Sequence, residues 1–202
     1  KYIFEYHKPD IVFNAAANKH VKIFSENLNE SSRNTLNVCI NTINLSKKYK
    51  VNNYILISSD KAINPSSHMG KIKNICEKLS LSNNINETKI SCVRFGNVLG
   101  SSGSVVPLFQ DLISKRKDIY VRHRDLTRYF MLIDEAAELV IQSCAISQGG
   151  EIFTLDMGKP VKIIDLAKKI ISLNGLSIKN DKNPNGVIEI KISKLIKGEK
   201  IE

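Results

Sequence analysis

The first clear feature of the chain is the segment Asp10–Ala17, in which the apolar run Ile11-Val12-Phe13 follows Pro9 and closes on Asn14-Ala15-Ala16-Ala17. A short apolar run with a proline before it and small residues at its end predicts a buried parallel strand whose end faces a ligand. Apolar residues then recur at Leu36, Ile40, Ile43 and Leu45, which is helical spacing. Tyr54-Ile55-Leu56-Ile57 is a second continuous apolar run. After it Met69, Ile72, Ile75, Cys76 and Leu79 fall at helical intervals, and Ile90-Ser91-Cys92-Val93 supplies a third strand. Strand, helix, strand, helix, strand is the pattern of an α/β protein, a parallel sheet joined by right-handed crossovers. Ligands of such sheets bind beyond the carboxyl ends of the strands. The segments Asn14–His20, Ser58–Lys61 and Arg94–Ser104 are therefore where chemistry is expected.

Past residue 100 the pattern changes. The loop Gly100-Ser101-Ser102-Gly103-Ser104 leads into a predicted helix over Val106–Lys115, with short strands around Ile119–Val121 and Tyr129–Met131. Helices are predicted at Asp134–Ala145 and Ile163–Leu173, the second stopped by Asn174-Gly175. Asn180–Gly186, with Pro184 inside it, reads as a loop. No internal repeat or low-complexity linker separates the halves, so the second half is expected to be a small α+β lobe threaded through the first.

Composition narrows this picture only slightly. A chain of 202 residues with 42% apolar content can bury a proper core. No run approaches the roughly 20 apolar residues of a membrane span, and no signal peptide opens the chain. Cys39, Cys76, Cys92 and Cys144 are far apart and each has apolar neighbours, which suits buried reduced thiols in a cytoplasmic protein better than a zinc site or a disulfide framework. His7, His68 and His123 belong to no motif, and no metal-ligand spacing is present. The net charge of +10 raises nucleic acid as a partner. The lysines, however, are scattered in pairs such as Lys47-Lys48 and Lys168-Lys169, and only 6% of residues are aromatic. Nucleic acid is therefore not the expected partner, and a modest positive field serves a small anionic ligand equally well.

Candidate chemistry concentrates in Ile57-Ser58-Ser59-Asp60-Lys61-Ala62-Ile63-Asn64-Pro65, followed by Met69-Gly70-Lys71-Ile72-Lys73. A hydroxyl, a carboxylate and an amine stand in succession at the end of a buried strand. A carboxylate can serve as general acid and a desolvated amine as base. Lys73 lies one helical turn beyond Met69, so the two share a face. By itself an Asp-Lys pair is also what an ordinary surface turn carries, and Met69 is also what an ordinary core carries.

Four further segments add to it: Asn14-Ala15-Ala16-Ala17-Asn18-Lys19-His20-Val21; Val93-Arg94-Phe95-Gly96-Asn97-Val98-Leu99-Gly100 with the Gly/Ser loop to Pro107; Thr127-Arg128-Tyr129-Phe130-Met131; and Gly150–Ile163. Lys197-Gly198-Glu199-Lys200 closes the series. The strand-end motifs resemble those of extended short-chain dehydrogenases. Together with Ser-Asp-Lys-Ala-Ile-Asn-Pro and Met-Gly-x-x-Lys, they resemble the polysaccharide-biosynthesis nucleotide-sugar 4,6-dehydratases, with UDP-N-acetylglucosamine as the expected substrate. Motifs in the same order over most of the chain are far more specific than any one of them.

The resemblance implies a Rossmann-like parallel sheet, N-terminally incomplete. Residues 1–100 form a partial NAD-binding domain and 101–202 mainly a substrate-binding lobe interleaved with it. The cofactor is NAD, held by Asn14, Ala15, Ala16, Asn37, Ser58, Lys73 and Phe95. Met69 takes the place of the usual catalytic Tyr, a replacement typical of this branch, and Ser59 assumes part of that Tyr's role. Lys73 binds the nicotinamide ribose, while Asp60 and Lys61 are the elimination pair. Lys19, His20, Asn97, Ser104, Val105 and Arg128 are the expected contacts to the UDP-sugar, and Arg94 is read as a structural arginine. Lys197 stands near where relatives carry the Arg of an Arg-Pro pair. No Gly-x-Gly-x-x-Gly is present, so the pyrophosphate-binding turn is expected upstream of Lys1, and membrane attachment only through upstream segments. A homo-oligomer is expected. Three other readings stay open: a UDP-sugar 4-epimerase, a dehydratase that inverts C5, and an inactive UDP-sugar-binding fragment. Asp60-Lys61 favours elimination over epimerisation, and Met69 favours retention at C5.

Overall fold

The computed structural model describes residues 1–17, 24, 27–84, 87–101, 103–195, 200 and 201. Its elements in chain order are α1 (Tyr2–His7), β1 (Ile11–Asn14), α2 (Leu28–Lys48), β2 (Asn53–Ile57), a 3-10 turn (Asp60–Ala62), α3 (His68–Ser82), β3 (Lys89–Arg94) and β4 (Asn97–Val98). They continue with α4 (Val105–Ser114), β5 (Ile119–Val121), β6 (Thr127–Arg128), β7 (Phe130–Met131), α5 (Ile133–Ile146) and β8 (Ile152–Thr154). The last are β9 (Val161–Lys162), α6 (Ile163–Leu173), β10 (Ile178–Lys179) and β11 (Ile188–Ile192). The chain divides into two compact units, Lys1–Phe95 with Ala137–Asp156, and Gly96–Ala136 with Met157–Glu202.

The first unit is built on a parallel sheet of order β1-β2-β3-β8. Tyr54, Ile55 and Leu56 of β2 are all buried, although successive side chains of a strand point to opposite faces. A strand covered on both sides has no reason to alternate apolar with polar residues, which is why this segment reads as one continuous apolar run. On one face Tyr54, Leu56, Ile90 and Cys92 pack against Cys39 and Ile43 of α2 and Cys76 of α3. All four cysteines are free and buried.

Strand β1 stops at Asn14, three residues short of the expected end, and it is not the buried strand expected: among the described residues it lies at the edge of its sheet, with Ile11 and Phe13 exposed. The Asn14 side-chain oxygen accepts the Ala16 N–H at 3.2 Å, a local turn that competes with the sheet ladder. The strand β8, not foreseen from the sequence, joins the far edge through the pairing of Cys92 with Ile152.

The second unit holds a parallel sheet of order β10-β11-β5. Ile163, Ala167, Ile170 and Ile171 form one buried stripe of α6 and meet Phe109 and Ile113 of α4 and Ile119 and Val121 of β5. The expected strand at Tyr129–Met131 is in fact two short ones. β6 pairs antiparallel with β9 and β7 pairs parallel with β4, while the Tyr129 carbonyl accepts the Asn97 N–H at 3.1 Å. The sequence reading also lacked β9, β10 and β11. Ile188-Glu189-Ile190-Lys191-Ile192 nevertheless carries the strict alternation of a half-buried strand, and it lies between β10 and β5.

Ile171 is fully buried in the second unit's core. Replacing it with Ala is expected to lower stability by about 2–5 kcal/mol, the usual cost of truncating a large aliphatic core residue. Urea unfolding should show a lower midpoint with an unchanged slope.

Candidate active site

In the first unit the carboxyl ends of β1, β2 and β3 carry most of the candidate residues. Where β2 ends, Ser58 continues the ladder by donating its N–H to the Val93 carbonyl at 2.8 Å. Ser59 then caps a short 3-10 turn, its hydroxyl accepting the Lys61 N–H at 3.3 Å. The next tie runs sideways, from the Asp60 N–H to the Phe95 carbonyl at 3.1 Å. The turn thus hangs from the ends of both β2 and β3.

Within it the three reactive side chains meet on a single atom. Asp60 Oδ1 accepts the Ser59 hydroxyl at 2.7 Å and the Lys61 ammonium at 3.0 Å. Both charged side chains are about one-third exposed, 37% for Asp60 and 30% for Lys61, so the pair is reachable from solvent.

Helix α3 supplies the floor. Ser67 caps it by accepting the Gly70 N–H at 3.1 Å. Gly70 packs directly under the turn: a Cβ there would lie 2.3 Å from the Lys61 carbonyl oxygen and 3.1 Å from Pro65 Cβ. Only glycine lets the two backbones approach so closely. Met69 is buried. One helical turn on, Lys73 donates to the Ile57 carbonyl at 2.7 Å. Burial holds the Lys73 ammonium below the ordinary lysine range, against the opposing pull of Cys76, Cys39, Glu77 and Cys92.

At the end of β1, Asn14 is buried and donates to Tyr54 Oη at 2.8 Å and to Thr42 Oγ1 at 3.1 Å. Thr42 and Tyr54 are themselves 3.0 Å apart. Burial pushes the Tyr54 phenol well above its usual range, so it stays protonated and neutral. Ala15 and Ala16 follow as exposed small residues, and Asn37 is exposed on α2. Lys19, His20 and Lys197 lie outside the described residues.

In the second unit, Asn97 sits in β4 and Arg128 in β6, where Arg128 pairs with Val161. One Arg128 Nη1 donates to the Thr127 carbonyl at 2.6 Å. Ser104 precedes α4, and its hydroxyl is buried without a hydrogen-bond partner among the described residues. Val105 is half-buried against the core of this unit. Among the described residues no group of three or more His, Cys, Asp or Glu is arranged to hold a metal ion. No described helix is long and apolar enough to cross a membrane.

The sequence reading missed Gly70's contact with Lys61, the Tyr54–Thr42 support of Asn14, and Glu77. Glu77 is 1% exposed, accepts the Ser58 hydroxyl at 2.5 Å, and takes Arg94 in a two-point grip at 2.8 and 2.6 Å. Arg94 is accordingly structural, as expected. The signal for Glu77 was its place beside Cys76 on the apolar face of α3, where an unpaired carboxylate is too costly to bury.

A parallel sheet with its polar groups gathered at the strand ends is the arrangement of a Rossmann-like α/β protein. Over residues 1–202 the chain matches the polysaccharide biosynthesis protein family, and it belongs to that family. It is 49% identical over 170 residues to the capsular polysaccharide biosynthesis protein CapD of Staphylococcus aureus, an alignment covering 83% of this chain and 28% of that protein. It is 36% identical over 163 residues to an inverting UDP-N-acetylglucosamine 4,6-dehydratase of Campylobacter jejuni, covering 78% of this chain and 48% of the relative. The chain thus spans less than half the length of either curated relative. The X-ray structure of Pen from Bacillus thuringiensis has the same fold, with a TM-score of 0.85 at 33% identity over 95% of this chain and 57% of that one.

Two outcomes follow from this geometry. Gly70→Ala should lose about 1–3 kcal/mol through overpacking against a backbone carbonyl. It should also displace the backbone amide resonances of Asp60, Lys61, Ala62 and Ile63 while leaving those of β11 in place. Lys73 binds a proton less readily folded than unfolded, so its burial costs stability while it is charged. That cost is relieved as pH rises from its lowered folded value to the ordinary lysine value. Across this window the wild-type chain should gain stability relative to Lys73→Met, by at most about 1.4 kcal/mol per pH unit for one proton. Urea unfolding at several pH values checks this.

Proposed function

We propose that this chain carries the proton-transfer machinery of an NAD-dependent UDP-N-acetylglucosamine 4,6-dehydratase, acting in surface-polysaccharide synthesis in the cytoplasm. The observation that supports it best is the joint hold of Ser59 and Lys61 on one carboxylate oxygen of Asp60.

A 4,6-elimination needs a base for the proton on C5 and an acid for the departing C6 hydroxyl, close together and matched in proton count. Two states of the pair differ only by one proton moved along the 3.0 Å Lys61–Asp60 hydrogen bond. In the neutral state Asp60 carries the proton and Lys61 is an uncharged amine. Lys61 takes the C5 proton, the C5–H electrons form the C5–C6 double bond, the C6–O bond breaks, and Asp60 gives its proton to the leaving oxygen as water. Lys61 then gives its proton back to C5 as C6 is reduced, and the proton freed from the C4 hydroxyl passes through the Ser59 hydroxyl to Asp60, which restores the neutral pair.

The strand ends suit the nicotinamide half of NAD. Ala15 and Ala16 leave the end of β1 open, and Lys73 has three N–H donors of which the Ile57 carbonyl takes one. Asn14, Ser58 and Phe95 would line the same place, with Asn37 beside it. Bound there, NAD supplies acceptance of hydride from C4, which acidifies the C5 proton, and its return to C6. Ser59 would face the C4 hydroxyl in the role that the usual Tyr has where Met69 stands. Asn97, Ser104, Val105 and Arg128 would hold the UDP. A buried hydroxyl lacking a partner at Ser104 suits a phosphate oxygen, and a guanidinium matches phosphate geometry. Lys19 and His20 complete this set.

Incubation of the chain with UDP-N-acetylglucosamine and NAD, followed by mass spectrometry, should show loss of one water. Asp60→Asn and Lys61→Ala should each lower water loss about 100-fold or more while C4 oxidation, read as NADH absorbance, persists. Undiminished water loss in both variants would sink the assignment. A product of unchanged mass with inverted C4 would make the chain an epimerase instead.

A further inference from the structure

Glu77 lies deeper than any step of the proposed reaction requires. A carboxylate taken out of water costs several kcal/mol unless its partners are well placed, and an apolar side chain of the same size would pack there without that cost. Among the described residues, its three hydrogen bonds reach Ser58 and Arg94. Ser58 is the first residue past β2, and Arg94 is the last residue of β3. The residues directly after these two are the ones that hold the reacting turn. Ser59 begins the turn, and Phe95 receives the Asp60 N–H.

The ladder between β2 and β3 fixes the strands against each other. It leaves open how far α3 slides along them, because the apolar contacts of Cys76 and Ile72 with the sheet are not directional. Asn74 supplies direction at the turn itself, its side-chain N–H donating to the Ala62 carbonyl at 3.1 Å. Glu77 supplies it at the strand ends, since a carboxylate and a guanidinium in a two-point grip accept only one relative placement. Lys73, one turn earlier on the same helix, is tied to the Ile57 carbonyl just before Ser58. The helix is thus laced to the strand ends at two successive turns. Lys73 and Cys92 are titratable groups that also feel the carboxylate.

We propose that Glu77 is a positioning residue, which through Ser58 and Arg94 sets the Ser59–Asp60–Lys61 turn at a fixed place over the helix that carries Met69 and Lys73. The proposal rests on the reading of Asp60 and Lys61 as the acid–base pair. Its test does not, because it reads the turn itself.

Amide hydrogen exchange of the whole chain is compared between wild type, Glu77→Gln, and the double variant Glu77→Leu with Arg94→Met. The double variant leaves no charge buried alone, so it folds even if the single one does not. In either variant the amides of Asp60, Ala62 and Ile63 should exchange about 10-fold faster or more, with those of Leu56 and Cys92 unchanged. In the turnover assay kcat should fall about 10- to 100-fold with KM for the sugar nearly constant, the signature of misplaced reacting groups. A uniform rise at all these amides would show a merely structural role and overturn the proposal, as would turn amides that exchange at the wild-type rate. A wild-type chain that removes no water counts against the dehydratase reading, and the exchange data still decide the role of Glu77.

Discussion

Strand β2 is covered on both faces, and the placement of the groups at its end follows from that cover. Tyr54, Ile55 and Leu56 are each 3% exposed or less, so a slip of one residue in the register would exchange the two buried faces. Pairing on both sides, with β1 through Val12 and Tyr54 and with β3 through Tyr54 and Ile90, holds the register further. The strand therefore delivers Ser58 to one place, and the chain beyond it has little freedom before it meets the Phe95 carbonyl. The Ser59–Lys61 cluster is a partly exposed feature with a core residue's precision, because it hangs from the ends of buried strands.

The same economy appears at the end of β1. Asn14 is held by a phenol from β2 and a hydroxyl from α2, while its own oxygen folds the next residues back. Polar atoms buried this deeply are tolerated because each has a partner. The second unit is held by a different kind of contact, a run of isoleucines from α6 against β5 and α4. Rigid hydrogen-bonded strand ends in one unit and an aliphatic core in the other are two solutions to placing side chains, and the candidate acid and base belong to the first.

Much of the first unit was legible in the sequence because its signals are local. The continuous apolar run Tyr54–Ile57 marks a strand covered on both faces, whereas the similar run Ile11–Phe13 belongs to a strand whose Ile11 and Phe13 are exposed. The Ser-Asp-Lys triplet was legible only in company with the other motifs. Ile163–Leu173 was readable to the residue, since its apolar period and its Asn174-Gly175 stop agree. What escaped was whatever depends on distant pairing. Strands β9 and β10 have two residues each, too few to show a period, and exist only through their partners. Gly70 matters because of a carbonyl nine positions earlier, and Glu77 because of a guanidinium seventeen positions later. Neither distance is written in a window of sequence.

The cysteines described above have a practical meaning beyond their packing. Cys39, Cys76, Cys92 and Cys144 all fall in the first unit, and the second contains none. Each thiol is buried, so none reacts with a bulky reagent until its surroundings open. The chain therefore carries its own chemical clock for one half of itself. The rate at which thiols become available reports the opening of the unit that holds the proposed acid and base, and is blind to the opening of the other.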